Sequence, residues 1–130
     1  MPNKENPEYR EDADELIRRR QWKRLLTATF VLDALSARDS YGNQIAREIF
    51  ERTNRLYRPN PNEMYPVLRF LEDRHLAESE WDSPDKRSKR IYRITEKGRA
   101  AAPYMKQCVV EWAHSLRDFA DNIQEQFGKK

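Results

Sequence analysis

The stretch Asn60 to Leu76, NPNEMYPVLRFLEDRHL, constrains the fold more than any other. Asn60 is a residue type that accepts from the orphan N–H groups of a first helical turn. Pro61, at the first helical position, loses no bond there and presets φ, and Glu63 falls where the acidic member of a capping box sits. The Glu63 charge also suits the positive end of a helix. Met64, Val67, Leu68 and Leu71 follow at i, i+3, i+4 and i+7 and make one apolar stripe. Asn62, Tyr65 and Arg69 occupy the opposite face: an amide, a phenol and a guanidinium, all able to bond phosphates or base edges. Pro66 removes one backbone bond near the first turn and is expected to kink the axis.

Composition bounds what surrounds this helix. The chain of 130 residues is long enough for one ordinary domain. Charged residues make up 36% and the mean hydropathy is −1.08, so apolar side chains are scarce, yet 11% aromatics argues against disorder. A thin core with many aromatics suggests a core shared between subunits. The formal net charge is only +3, so the distribution of charge has to carry any nucleic-acid argument. A single cysteine, Cys108, rules out a disulfide within the chain. With no apolar run of membrane-spanning length and no signal-peptide pattern, a soluble cytoplasmic protein without a membrane partner is expected. Cys108, His75 and His114 are too scattered for a metal site, and the three glycines form neither a phosphate loop nor a dinucleotide fingerprint. No nucleophile–base set is arguable, so neither catalysis nor a cofactor is expected.

Residues 1–7 hold two prolines without periodicity and read as a loose tail. From Glu8 an acidic run precedes a basic one, Arg18 to Arg24, in the polarity a helix dipole favours. That basic run either touches phosphates or is the solvated face of a helix docked through Leu16, Ile17 and Trp22; the second reading is the simpler one. Gln21 to Ala37 reads as a buried helix with Leu25, Leu26, Phe30, Val31, Ala34 and Leu35 on its apolar face. Ser40 is a plausible N-cap for a helix from Tyr41 to Asn54. Gly42 near its start suggests close approach of another backbone or of DNA. The linker Leu56 to Pro59 then leads into the capped helix, the pattern of a helix-turn-helix. Glu78 to Trp81 and Arg90 to Ile94 read as two strands around the turn signal Ser83-Pro84-Asp85, which adds a wing. Lys86, Arg87, Lys89 and Arg90 near its tip are placed for phosphate contact, although such a run is also compatible with a solvated loop. Thr95 is a good N-cap for a last helix whose first turns Gly98 and Pro103 are expected to kink or break. Tyr104, Cys108, Trp112, Leu116, Phe119, Ile123 and Phe127 continue it as a stripe suited to helix–helix association.

Tyr65-Pro66-Val67-Leu68-Arg69-Phe70-Leu71-Glu72 resembles the recognition-helix segment of PadR-type transcriptional regulators. Leu32 to Leu35 with Ser40 to Ile45 upstream, and Lys89 to Arg99 downstream, agree in order and spacing over roughly residues 25–100. The resemblance implies that Tyr41 and Gly42 open the second helix of the helix-turn-helix; a half-buried packing role for Tyr41 remains the alternative. It implies that the last helix makes a dimer, and that some members hold flat aromatic ligands there. Trp112 is the candidate for such contact, or else plain dimer core. Phe70 departs from the pattern where a basic residue is common, and is read as packing against the N-terminal helix. His75 departs where a glycine often closes the helix, and requires a left-handed residue or a different turn.

The expected architecture is mainly α with a small β-hairpin, a winged helix-turn-helix with an N-terminal extension helix and a C-terminal dimerisation helix. Residues 8–95 form the DNA-binding domain and 96–130 the dimerisation helix, with Tyr104, Cys108, Trp112, Leu116, Phe119 and Ile123 in the interface. Asn60, Asn62, Tyr65 and Arg69 enter or flank the major groove, while Tyr41, Lys86, Arg87, Lys89 and Arg90 hold phosphates. The expected partners are a double-stranded DNA operator, a second copy of the chain and a planar aromatic effector. The alternative is a winged-helix protein–protein interaction module without DNA binding.

Overall fold

The structure, a computed structural model, describes residues 7–83 and 89–128. Its elements run α1 (Pro7–Arg18), α2 (Trp22–Ala37), β1 (Ser40–Tyr41), α3 (Gly42–Arg52), α4 (Pro61–Asp73), β2 (Ala77–Trp81), β3 (Arg90–Ile94) and α5 (Glu96–Phe127). The architecture is the expected one, mainly helical with an antiparallel wing. The expected hairpin is joined by β1 to give the order β1-β3-β2, with Ser40 opposite Tyr92 and Ala77 opposite Ile94.

α2 is the hub, packing on α1, α3, α4, α5 and β3. Leu25, Ala28, Val31 and Leu32 on it are fully buried, and the core extends through Ile45 and Ile49 of α3, Leu71 of α4 and Met105 of α5. The polar cost of this hub is met locally. Thr27 and Thr29 are buried, and their hydroxyls donate to the carbonyls of Lys23 (2.8 Å) and Leu25 (2.7 Å).

Helix termini set the angles between elements. α4 ends in a left-handed turn at His75 (φ 61), where the His75 N–H reaches the Glu72 carbonyl (3.0 Å) and the Leu76 N–H reaches Leu71 (2.8 Å). That is the pair of bonds of a Schellman closure, with His75 accepting the conformation glycine would take more cheaply. Arg20 (φ 57) after α1 and Asn54 (φ 54) after α3 do the same, with Gln21 N–H on Leu16 (2.9 Å) and Arg55 N–H on Phe50 (2.8 Å).

Two expectations are revised, where α3 begins and whether α5 breaks. Ser40 lies in β1, and Tyr41 takes the N-cap position of α3; the Gln44 side chain turns back to accept from the Tyr41 N–H (3.3 Å) and the Ser40 hydroxyl (3.1 Å). α4 runs through Pro66 as one helix. α5 is likewise continuous through Gly98 and Pro103, because Thr95 caps it by accepting from the Gly98 N–H (3.0 Å) and Pro103 stands on its exposed side. Gly98 is a contact residue rather than a break: a Cβ there would fall 2.1 Å from the Leu76 carbonyl oxygen. At Gly42, by contrast, a Cβ would meet no backbone of another element among the described residues, only Leu68 Cδ1 at 3.5 Å, an ordinary contact.

Candidate nucleic-acid interface

α4 is built as the capping residues foretell. Asn60 Oδ1 accepts from the Glu63 N–H (3.0 Å), and Glu63 Oε1 accepts from the Asn60 N–H (3.1 Å). Met64, Val67, Leu68 and Leu71 are buried, which turns Asn62, Tyr65 and Arg69 outward; Tyr65 is 65% exposed.

Both ends of this helix are braced. At the N-terminal end Lys23 of α2 forms an ion pair with Glu63. This bond, followed by that from the Asn60 backbone, holds the Glu63 carboxyl below its ordinary range. At the C-terminal end Arg74 donates to Asp12 (2.9 Å) and to Glu15 of α1. Asp12 is buried and also faces Lys97 of α5 (3.3 Å), which donates to the Arg74 carbonyl (2.8 Å). Arg74 lies 5.0 Å over the ring of half-buried Phe70, so Phe70 is tied to the N-terminal helix through Arg74.

The hairpin stands beside α4. Arg90 Nε donates to Ser79 Oγ (2.9 Å) and Nη2 to the Ser79 carbonyl (3.2 Å), while Ser79 Oγ donates to Glu72 of α4 (2.9 Å). The Arg90 guanidinium also lies 4.8 Å over the Trp81 ring, so part of its donor capacity braces the wing to the helix. Lys89 Nζ sits 5.5 Å over the Tyr41 ring, and the Asp82 N–H closes the hairpin on the Lys89 carbonyl (2.8 Å). Lys86 and Arg87 lie outside the described residues.

A groove of about 680 Å³ opens between these parts. It gathers Tyr41, Asn60, Tyr65, Lys89 and Arg90 from the expected set, along with Gly42. Asn62 borders a second, smaller hollow instead. Arg69 follows Tyr65 by four residues, one turn further along the exposed face. Asn43 and Arg58 also line the groove and escaped the sequence reading. Arg58 sits in the linker before Pro59, where no periodicity marks it; its only signal is a cation next to the helix cap.

The stripe on the last helix divides in two. Tyr104 and Cys108 turn to the chain's own body: the Tyr104 hydroxyl donates to Asp14 (2.6 Å) under the Arg10 guanidinium (4.9 Å), and Cys108 is buried. Burial and the Asp14 bond push the Tyr104 phenol up to about 12, and burial raises the Cys108 thiol. Trp112 stacks on Trp22 of α2, with ring centroids 5.7 Å apart and planes 1° from parallel. Leu116, Phe119 and Ile123 are 43%, 62% and 39% exposed.

Among the described residues no helix is long and apolar enough to cross a membrane. The model of the transcriptional regulator PadR-like family matches residues 31–103, from α2 into α5. An uncharacterized protein of Lysinibacillus sphaericus is 33% identical over 98 residues, covering 75% of this chain and 86% of that protein. A transcriptional regulator from Clostridium thermocellum shares the fold with a TM-score of 0.55 and 29% identity, over 78% of this chain and 92% of that one. A PadR family transcription regulator from Clostridium difficile aligns with a TM-score of 0.52 and 25% identity, over 79% and 98%. Helix-turn-helix, wing and family model coincide on the same residues, and the chain belongs to the PadR-like family of transcriptional regulators, which are DNA-binding proteins and not enzymes.

Proposed function

We propose that this protein binds a specific operator as a homodimer and represses transcription there. The observation that supports this best is the exposed ridge Asn62-Tyr65-Arg69 on a helix braced at both ends by ion pairs to α1 and α2. Rigid presentation of base-reading groups limits the entropy lost on binding. In this reading Tyr65 and Arg69 enter the major groove and Asn60 and Asn62 flank it. Tyr41, Lys86, Arg87, Lys89 and the remaining donors of Arg90 hold phosphates, and Gly42 leaves the start of α3 open to one.

Residues 8–95 then bind DNA, and residues 96–130 pair two subunits through Leu116, Phe119 and Ile123, with Trp112 at the edge of the interface. Such a protein works beside the chromosome, in the cytoplasm. A planar aromatic effector would lie against the Trp22–Trp112 stack, and it releases DNA only if it binds two dimer geometries unequally.

Selection of bound sequences from a random duplex pool tests the reading. The expected product is a site of two related half-sites whose affinity falls with salt at a log–log slope of about −0.9 per phosphate contact. No enriched sequence and no salt dependence would leave the winged helix as a protein–protein interaction module.

A further inference from the structure

α4 has a second flank. On a helical wheel the ridge Asn62-Tyr65-Arg69 separates Pro61, Met64 and Leu68, which line the large groove, from Glu63, Pro66 and Val67. The latter border a hollow of about 320 Å³ whose far wall is the α1–α2 junction, with Arg20, Lys23 and Arg24. Basic side chains therefore stand on both sides of the ridge, Lys89 and Arg58 on one and this cluster on the other.

The charges in the cluster are not equivalent. Lys23 is committed to Glu63, and its ammonium also faces the Tyr57 ring (5.3 Å). Arg20 and Arg24 form no ion pair among the described residues. Arg20 is also held in the left-handed conformation (φ 57) by the turn that closes α1, with its N–H on the Ile17 carbonyl (3.0 Å). Glycine would occupy that turn with less strain, so a long cation there costs stability and invites a functional reason.

The two flanks match the shape of DNA. A helix with its side chains is about 10–12 Å across, and the major groove is about 12 Å wide, so a seated helix meets both phosphate walls. We propose that Arg20 and Arg24 hold the backbone of one strand while the wing side holds the other, making the α1–α2 junction a second phosphate clamp. Both residues lie outside residues 31–103, the span the family model matches. The inference rests on the proposed seating of α4 in DNA.

The test uses the full chain and its selected duplex, with fluorescence anisotropy from 50 to 300 mM KCl as roughly spaced steps, a range in which counterion release governs affinity. Arg20→Gly, which suits the left-handed turn, is combined with Arg24→Ala; a parallel variant carries Arg20→Lys and Arg24→Lys. The first is expected to flatten the log–log salt slope by about 3.6 for a dimer on two half-sites, about 0.9 for each of two contacts per subunit, with base preference unchanged, and the second to restore most of it. An unchanged slope in the first variant, with wild type still reading its site, overturns the second clamp and leaves the seating of α4 intact. A wild type that binds no duplex overturns the seating and the clamp together.

Discussion

The two halves of α5 share one helix and one apolar periodicity, yet they have opposite fates. In the near half Gly98, Ala101, Ala102, Met105 and Cys108 are buried against the rest of the chain. In the far half Leu116, Phe119, Ile123 and Phe127 are exposed. Apart from Met105, side-chain size tracks the difference. Small residues stand where the helix presses on Leu76 and the body of the fold, and large ones where the helix is exposed among the described residues. A periodic stripe announces that a face will be covered; the sizes along it indicate how closely, and by what. The near half is an intrachain joint, and the far half is the surface proposed to pair with a second copy.

The near half is most sensitive at Gly98. Gly98→Ala places a methyl 2.1 Å from the Leu76 carbonyl oxygen, so backbone has to move. A loss of about 3 kcal/mol is expected, seen as a lower urea midpoint at unchanged slope. A stability loss under about 0.5 kcal/mol, the range of a surface change, would mean the joint is looser than described.

In the far half, Phe119→Asp with Ile123→Asp is expected to spare the fold and abolish pairing. Sedimentation equilibrium should show the dimer dissociation constant raised at least about 100-fold, near 2.7 kcal/mol, with the helical circular dichroism retained. Unaltered association would move the interface to another surface.

A smaller effect sharpens the near half. Asp33 of α2 joins Lys106 of α5 (2.5 Å) and Arg52 of α3 (2.7 Å). The Lys106 bond first, then that of Arg52, holds its carboxyl below the ordinary range against the cost of burial. Because the folded group titrates lower than the unfolded one, its stabilisation is present above about pH 4 and is lost as pH falls through the folded value. Asp33→Asn is expected to cost about 1 kcal/mol at neutral pH, with the gap to wild type closing in acid; thermal unfolding at pH 7 and pH 3, roughly bracketing the titration, measures this. A gap independent of pH would assign the loss to packing rather than to charge.

The legible parts of the fold were those set by neighbours in sequence. The Asn60–Glu63 cap, the stripe of α4 and the Thr95 cap each depend on spacings of three or four, which a single chain displays. β1 was missed because two residues carry no alternation, and it exists only by pairing with β3 fifty positions later, roughly the separation at which local pattern says nothing. Gly98 was recognised as unusual but misread, since propensity records a cost in the helix and cannot show Leu76 across from it. The Trp22–Trp112 stack joins distant positions, so each indole was read apart from its partner. In the candidate interface, types and periodicity exposed Tyr65 and Arg69, whereas the Arg58 and Arg20 positions depend on how loops fold back toward α4.

Arg69 tests the central claim, that the exposed ridge of α4 reads DNA, most directly. Binding of wild type and Arg69→Ala to the selected operator and to its single-base variants, at one salt concentration, is the measurement. Arg69→Ala is expected to lose about 1–3 kcal/mol on the operator and to relax preference at one base pair, with the fold intact by circular dichroism. Equal affinity and an unchanged base preference in Arg69→Ala would contradict that claim.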